Sequence, residues 1–324
     1  MRNATTNHVT PNGSIESRLV SAARAAGLVF ASAILVNALQ AGEAPTASTK
    51  TRSRGSCATL PIGERVRMLV GHNTMARMRQ IGVAKSVRSA SSIEGAIPIA
   101  FHVIHDGELG KLSLETIQAQ IEVLNQAYSP GRFELAELDY TDHPTWFRMS
   151  ILSRAEREAK AALQKDRHLF LNIYTCEPPA IILGWAFQPF LASIFPERDA
   201  VVIRHSTLPG GTEYPYDEGD TAVHEVGHWA GLYHTFTGRC ESNGDLVADT
   251  PQQRTASRGC EIGRDTCPLH PGLDPIHNFM DYSDDACADH FTFGQFSRMS
   301  ITLITRRPQI WDQLLHPGPQ AQIK

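Results

Sequence analysis

The 324-residue chain has no dense basic run and no basic segment interleaved with aromatics, and its formal charge is −4. Phosphate recognition needs a concentrated positive face, so a nucleic-acid partner is not expected. The apolar run from Ala25 to Leu39 stops short of the roughly 20 residues that cross a bilayer as a helix. Cysteine is scarce, and no two cysteines stand at CxxC spacing, which argues against a structural zinc site.

What is there begins at the N-terminus. Arg2, Arg18 and Arg24 precede the apolar run, and the small residues Ala41, Gly42 and Ala44 follow it. That order predicts a cleaved signal peptide over 1–44 and a secreted, extracellular product with no stable membrane association once the signal is removed. Six cysteines suit an oxidising compartment. A hydrophobic content of 42% supports one catalytic domain of about two hundred residues once the N-terminus is set aside. The expected organisation is signal peptide 1–44, propeptide or N-terminal extension 45–92, and one domain over 93–324.

Most of the chemistry is concentrated in His224 to His234, which reads HEVGHWAGLYH. His224 and His228 lie one helical turn apart on one face, so both can direct a ring nitrogen at one metal ion. Glu225 points to a neighbouring part of the same cleft and is the expected general base. Gly231 lets the chain leave the helix with positive φ, so that His234 returns as a third ligand. Three protein ligands leave one position for water, the arrangement of a catalytic zinc site. The bland alternative is an amphipathic helix with core-facing Val226, Trp229 and Leu232. Given average residue usage, the whole pattern arises by accident in roughly one chain of this size in ten thousand.

The extended motif is the signature of the metzincin metallopeptidases, and Met280 in Asn278-Phe279-Met280-Asp281-Tyr282 resembles their Met-turn methionine. The wider wording is more specific. HEVGHWAGLYHTF, the run Gly244 to Pro251 and NFMDYSDDAC closely resemble the pappalysin family, in its short secreted, ulilysin-like branch, from about Ile97 to Trp311.

The resemblance implies several further assignments. It pairs Cys240 with Cys267 and Cys260 with Cys287, where the sequence alone allows three pairings. It matches Tyr282 to a tyrosine whose hydroxyl stabilises the oxyanion, and Gly184, Trp185 and Ala186 to an edge strand that pairs with extended substrate. It matches Asp285 to an acid at the base of the primed-side pocket, which favours Arg or Lys after the cleaved bond and makes Val87-Arg88 an activation site. It places a possible calcium ion on Asp245, Asp249 and Thr250. Asp220 departs from the basic residue that the resemblance leads one to expect. Cys57 has two readings: a thiolate fourth zinc ligand that keeps a zymogen latent, or a disulfide with Cys176.

Periodicity predicts strands over Ile97 to His105, Phe133 to Tyr140, Leu169 to Tyr174 and Ala200 to Ile203, and helices over Leu114 to Tyr128, capped by Ser113, and Arg154 to Gln164. The fold expected is α+β: a twisted, mostly parallel sheet with helices above the cleft, then a loop-rich, disulfide-bonded lower part closed by a helix near Gln295 to Arg306. The function expected is a secreted zinc endopeptidase acting on proteins or peptides. The alternative is a catalytically silent metzincin-like binding module, which would have lost a ligand or the glutamate; none is lost.

Overall fold

Nearly continuous apolar sequence from Ile97 to His105 forms the strand buried on both faces at the heart of the sheet, as such runs do in parallel sheets. The computed structural model describes residues 55–60, 94–179, 181–241 and 244–316, so the predicted leader, most of the N-terminal extension and the Val87-Arg88 bond lie outside the described residues. All of the described residues belong to one unit that joins Lys50–Leu60 to Val70–Lys324.

In chain order the elements are β1 (Ser56–Cys57), β2 (Ile97–His105), α1 (Leu114–Ala127), β3 (Phe133–Asp142), α2 (Pro144–Phe147), α3 (Arg154–Leu163), β4 (Leu171–Cys176), β5 (Ile182–Ala186), α4 (Pro189–Ile194), β6 (Val201–Arg204), α5 (Asp220–Trp229), α6 (Phe293–Arg306) and α7 (Pro308–Leu315). The sheet order is β1-β5-β6-β4-β2-β3. All neighbours run parallel except β5 against β6. Connections through helices put layers on the faces of the sheet, and the reversal at β5 makes it the lower rim of the upper half.

Local signals account for the helix starts. Ser113 caps α1 by accepting from Thr116 N at 3.2 Å, and Ile117, Ile121 and Leu124 turn one face of α1 into the core. Thr292 and Gln295 form a reciprocal capping box. That box starts α6 at Phe293, two residues before the helix expected from periodicity. β4 begins at Leu171 and extends to Cys176, shifted toward the C-terminus from the expected Leu169 to Tyr174. Its limits are set by pairing with β2 and β6 rather than by its own residues.

The charged helix α3 differs from an ordinary solvated one. Glu156 and Lys160 are fully buried and paired at 2.8 Å, and Glu156 also accepts from Arg198 at 2.6 Å and from the Trp185 indole at 2.8 Å. Every oxygen of the carboxylate is therefore satisfied, which is the condition for keeping a charge inside. Together with its neighbours' positive charges, this holds Glu156 below the usual carboxylate range despite burial. The network ties β5, through Trp185, to the back of the sheet.

The lower part, between α5 and α6, has almost no regular structure and is braced by Cys240–Cys267 and Cys260–Cys287. Each bridge has a sequence separation of 27. Closing a loop of that length removes about 3–4 kcal/mol of unfolded-chain entropy in the loop-closure description.

Candidate metal centre

Helix α5 is buried from Thr221 to Trp229 and packs beneath the sheet against the core that includes Val201, Ile203 and Met280. Burial on all sides fixes the rotation of the helix, so its polar residues are inside only where they serve a common point. His224 Nε2 lies 3.1 Å from His228 Nε2, which in turn lies 3.0 Å from His234 Nε2. The opposite ring nitrogens are held by carbonyls: His224 Nδ1 donates to Phe279 O at 2.7 Å and His228 Nδ1 to Leu232 O at 2.9 Å. With protons held on Nδ1 of His224 and His228, their Nε2 lone pairs face each other, an arrangement that repels itself unless a cation sits between them. Burial pushes His224 down to about 4, and burial with the neighbouring imidazoles pushes His228 and His234 well below the usual range. The rings therefore stay neutral and available as donors, and the three residues fit zinc.

The path that delivers His234 depends on Gly231, whose φ is +101°. Gly231 N donates to His228 O and Leu232 N to Gly227 O, closing the helix end with a left-handed residue. Met280 lies beneath. Its sulfur would stand 2.5 Å from a Cβ built on Gly227, so the glycine inside the histidine motif is what lets the Met-turn approach the helix.

The turn at Met280 is itself held by side chains to which the sequence assigned no role. Asn278 and Gln295 exchange two amide hydrogen bonds at 2.8 and 2.9 Å, and Asn278 Oδ1 also accepts from Met280 N at 3.0 Å. Asp281 accepts from Gln253, Ser257 N and Tyr282 N, linking the turn to the disulfide-bonded loop.

Glu225 is buried beside the histidines. A Cβ on Gly184 would meet Glu225 Cγ at 2.9 Å and Val202 O at 2.9 Å, so β5 passes the glutamate with no room for a side chain. Burial pushes the Glu225 carboxyl up to about 8, against hydrogen bonds from Cys57 and Thr59 that lower it.

The N-terminal segment occupies this cleft. β1 adds to the edge of β5, with Ser56 N donating to Ile181 O and Ala58 N to Gly184 O, both at 2.9 Å. The metal-ligating atoms of Cys57, His224, His228 and His234 all lie within 4.8 Å of one another. Cys57 and Cys176 are both free, which removes the disulfide alternative: Cys176 is buried in the sheet, while Cys57 faces the histidines. Thr59 Oγ1 donates to Glu225 Oε2 at 2.9 Å and accepts from Ala186 N at 2.8 Å. The Tyr282 hydroxyl donates to Cys57 O at 3.2 Å, with its ring 5.0 Å from His234 and 5.7 Å from His224, and Arg258 donates to Gly55 O at 2.9 Å. The strand expected to present an open edge at Gly184, Trp185 and Ala186 is thus covered by this segment, and the Trp185 side chain faces the core instead of the cleft.

Of two other expected groupings, one holds and one separates. Asp285 reaches the cleft wall, accepting from Glu218 N at 2.9 Å. Asp245 and Thr250 face the same interior: Asp245 Oδ2 and Thr250 Oγ1 are buried without a hydrogen-bond partner, and burial pushes Asp245 up to about 7. Asp249 parts from them. Its carboxylate accepts from Thr292 Oγ1 and Gly294 N, both at 2.8 Å, at the start of α6, where a helix N-terminus attracts negative charge.

Comparison with known proteins agrees with this architecture. Residues 206–304 match the peptidase family M43, described as pregnancy-associated plasma protein-A. An extracellular metalloprotease of Pyricularia oryzae is 50% identical over 195 residues, covering 59% of this chain and 68% of that one. Extracellular metalloprotease 1 of Coccidioides posadasii is 37% identical over 262 residues, covering 78% and 91%. Among solved structures, mature mirolysin of Tannerella forsythia in complex with a cleaved peptide superposes with a TM-score of 0.60 at 28% identity, over 70% of this chain and all of that one. A variant of promirolysin gives a TM-score of 0.62 at 26% identity, over 80% and 97%. Fold and site define a zinc metalloendopeptidase of the metzincin type. The chain belongs to the pappalysin-like M43 family of extracellular metalloproteases. Among the described residues no helix is long and apolar enough to cross a membrane.

Proposed function

We propose that this enzyme is made as an exported, latent precursor and hydrolyses peptide bonds in proteins with His224, His228 and His234 as zinc ligands and Glu225 as general base. The observation that carries this reading is the convergence of three neutral Nε2 donors within 3.0 to 3.1 Å contacts, beside a buried carboxylate that meets no lysine or arginine among the described residues. Zinc held there supplies a Lewis acid that polarises the scissile carbonyl and brings the pKa of a water down to about 7. Glu225 takes a proton from the attacking water and delivers it to the leaving amine. Tyr282, its hydroxyl released from Cys57 O, donates to the carbonyl oxygen as negative charge builds there. The edge of β5 at Gly184 and Ala186 aligns the substrate backbone once β1 departs.

In the precursor, Cys57 would join the three histidines in holding zinc and Thr59 covers Glu225, so metal site and base are masked by neighbouring residues of one segment. Cleavage at Val87-Arg88 releases the mask, within a chain divided into a signal peptide over 1–44, a propeptide over 45–92 and a catalytic domain from 93. Asp285, in the wall of the cleft, favours Arg or Lys after the cleaved bond. Asp245 and Thr250 would hold a calcium ion, their buried oxygens being without partners, while Asp249 is engaged at α6.

The test of the central assignment is Glu225→Gln in the activated protein. Zinc should remain bound one to one while peptide hydrolysis is abolished; retained hydrolysis refutes the role of Glu225. Mapping the bonds cut in a peptide library, with and without a chelator, reads the preference for basic residues in the same preparation.

A further inference from the structure

Beside the histidines the cleft opens into a small cavity of about 50 Å³, bounded on one side by Gly55, Ser56 and Cys57. Leu183, Tyr216 and Phe279 contribute apolar wall, and Asp220, Ser283 and Asp285 contribute polar atoms. Asp220 stands in the first turn of α5, and neither a hydrogen bond nor an ion pair ties its carboxylate to any described residue. The charges it feels most are negative ones, Asp285 and Glu218. Asp285 is buried and fixed by the amides of Glu218 and Asp220, with Asp217 and Glu218 as its charged neighbours. Burial, with the charges of Asp285 and Glu218, pushes Asp220 up to about 8, and burial, with those of Glu218 and Asp217, pushes Asp285 up to about 7 against the two amides. The Ser283 hydroxyl, more than nine-tenths buried in the same wall, has no hydrogen-bond partner.

Two carboxylates sharing a sequestered cavity, with no cation to offset them among the described residues, is a costly arrangement for the free protein. An orphan hydroxyl beside them adds unfilled acceptor capacity. The complement is a cation carrying many donors in a fixed plane. A guanidinium presents five N–H groups and can bridge two carboxylates, whereas an ammonium is a compact charge with three donors, strongly attached to its own water.

We infer that Asp220 acts with Asp285 as a two-carboxylate specificity pocket for the residue after the cleaved bond, and that this pair selects arginine over lysine. The inference rests on the reading that Asp285 faces that residue, and adds to it the discrimination within the basic class. Asp220 is also an acidic residue in the first turn of a helix, a position that favours stability. That structural role would change thermal stability without changing which basic residue is preferred.

The experiment uses the activated, zinc-loaded protein and peptides that differ only in the residue after the cleaved bond: Arg, Lys, citrulline and Met. The expected kcat/KM for Arg exceeds that for Lys by about tenfold or more, as one additional charge-assisted contact would give. Asp220→Asn should bring that ratio near one, chiefly by lowering the Arg value, with zinc content unchanged; Asp285→Asn should lower Arg and Lys together. A parent enzyme that cuts before basic residues, and an Asp220→Asn variant with the same Arg to Lys ratio, overturn the role of Asp220 and leave Asp285 standing. A parent enzyme without any basic preference overturns the Asp285 reading itself. If Asp220→Asn does not fold, Asp220→Glu, which keeps the charge and moves it by one methylene, is read in the same way: a reduced ratio supports the pair and an unchanged one overturns it.

Discussion

Replacing Gly231 with alanine tests how the third histidine is brought to the metal. Two separate costs arise. The residue has φ +101°, and an L side chain in the left-handed region loses about 1–2 kcal/mol. The new Cβ would also stand 2.7 Å from Thr302 Oγ1 and 2.9 Å from its Cγ2, an overlap of the kind that costs about 1–3 kcal/mol in packed interiors. The sum, about 2–5 kcal/mol, is a large share of the roughly 5–15 kcal/mol by which domains are stable. Thr302→Ala removes both of the closest atoms, so the double variant should recover the steric part and keep the backbone part. The coupling between the two sites is then about 1–3 kcal/mol, well outside the error of additivity. Urea unfolding of zinc-free protein, made in a Glu225→Gln background to prevent self-cleavage, measures the stability terms. Competition with a chromophoric chelator measures zinc affinity, which should fall because Leu232 O, the acceptor for His228 Nδ1, and His234 both follow Gly231. A Gly231→Ala protein within about 0.5 kcal/mol of its parent, the range of neutral surface changes, with unchanged zinc affinity, would refute the reasoning. Strict additivity would refute the Thr302 contact alone.

Cys57→Ala should loosen latency only in part, because Thr59 still covers Glu225, whereas Cys57→Ala with Thr59→Ala should show peptidase activity before any cleavage of the chain; equal activity in the two proteins would remove Thr59 from the mask. Stripping calcium with a selective chelator should lower the unfolding temperature, by several degrees if the ion stood at 100 times its dissociation constant and contributed about 2.7 kcal/mol. Asp245→Ala should abolish that response, and an undiminished response would move the site elsewhere. Gly184→Ala should displace either Glu225 or the strand, lowering kcat by tenfold or more while zinc stays bound, since its Cβ meets both Glu225 Cγ and Val202 O at 2.9 Å; normal turnover would show that the cleft has slack the packing does not suggest.

The legibility of this protein follows the range of the interactions involved. His224, Glu225, His228, Gly231 and His234 form one short stretch whose convergence depends on helical spacing and one permitted backbone conformation, so local geometry was enough to predict that they come together. Ser113 and the apolar period of α1 were readable for the same reason. The ends of β4 and the burial of Glu156 and Lys160 were not, because they depend on strands and side chains distant in sequence. Sequence also left Cys57 with two partners. Only folding decides between a sulfur beside three histidines and one beside Cys176, since a thiol of either kind looks alike in the chain. Asn278 and Gln295 brace the Met-turn, and Asp249 turns from Thr250 to the start of α6, through contacts between segments 17 or more residues apart. The sequence by itself thus determined the metal chemistry and the family. The tertiary structure decided what stands around that chemistry: the segment that fills the cleft, the carboxylates that share its pocket, and the buried network that holds β5, because burial and convergence are properties of the packed chain.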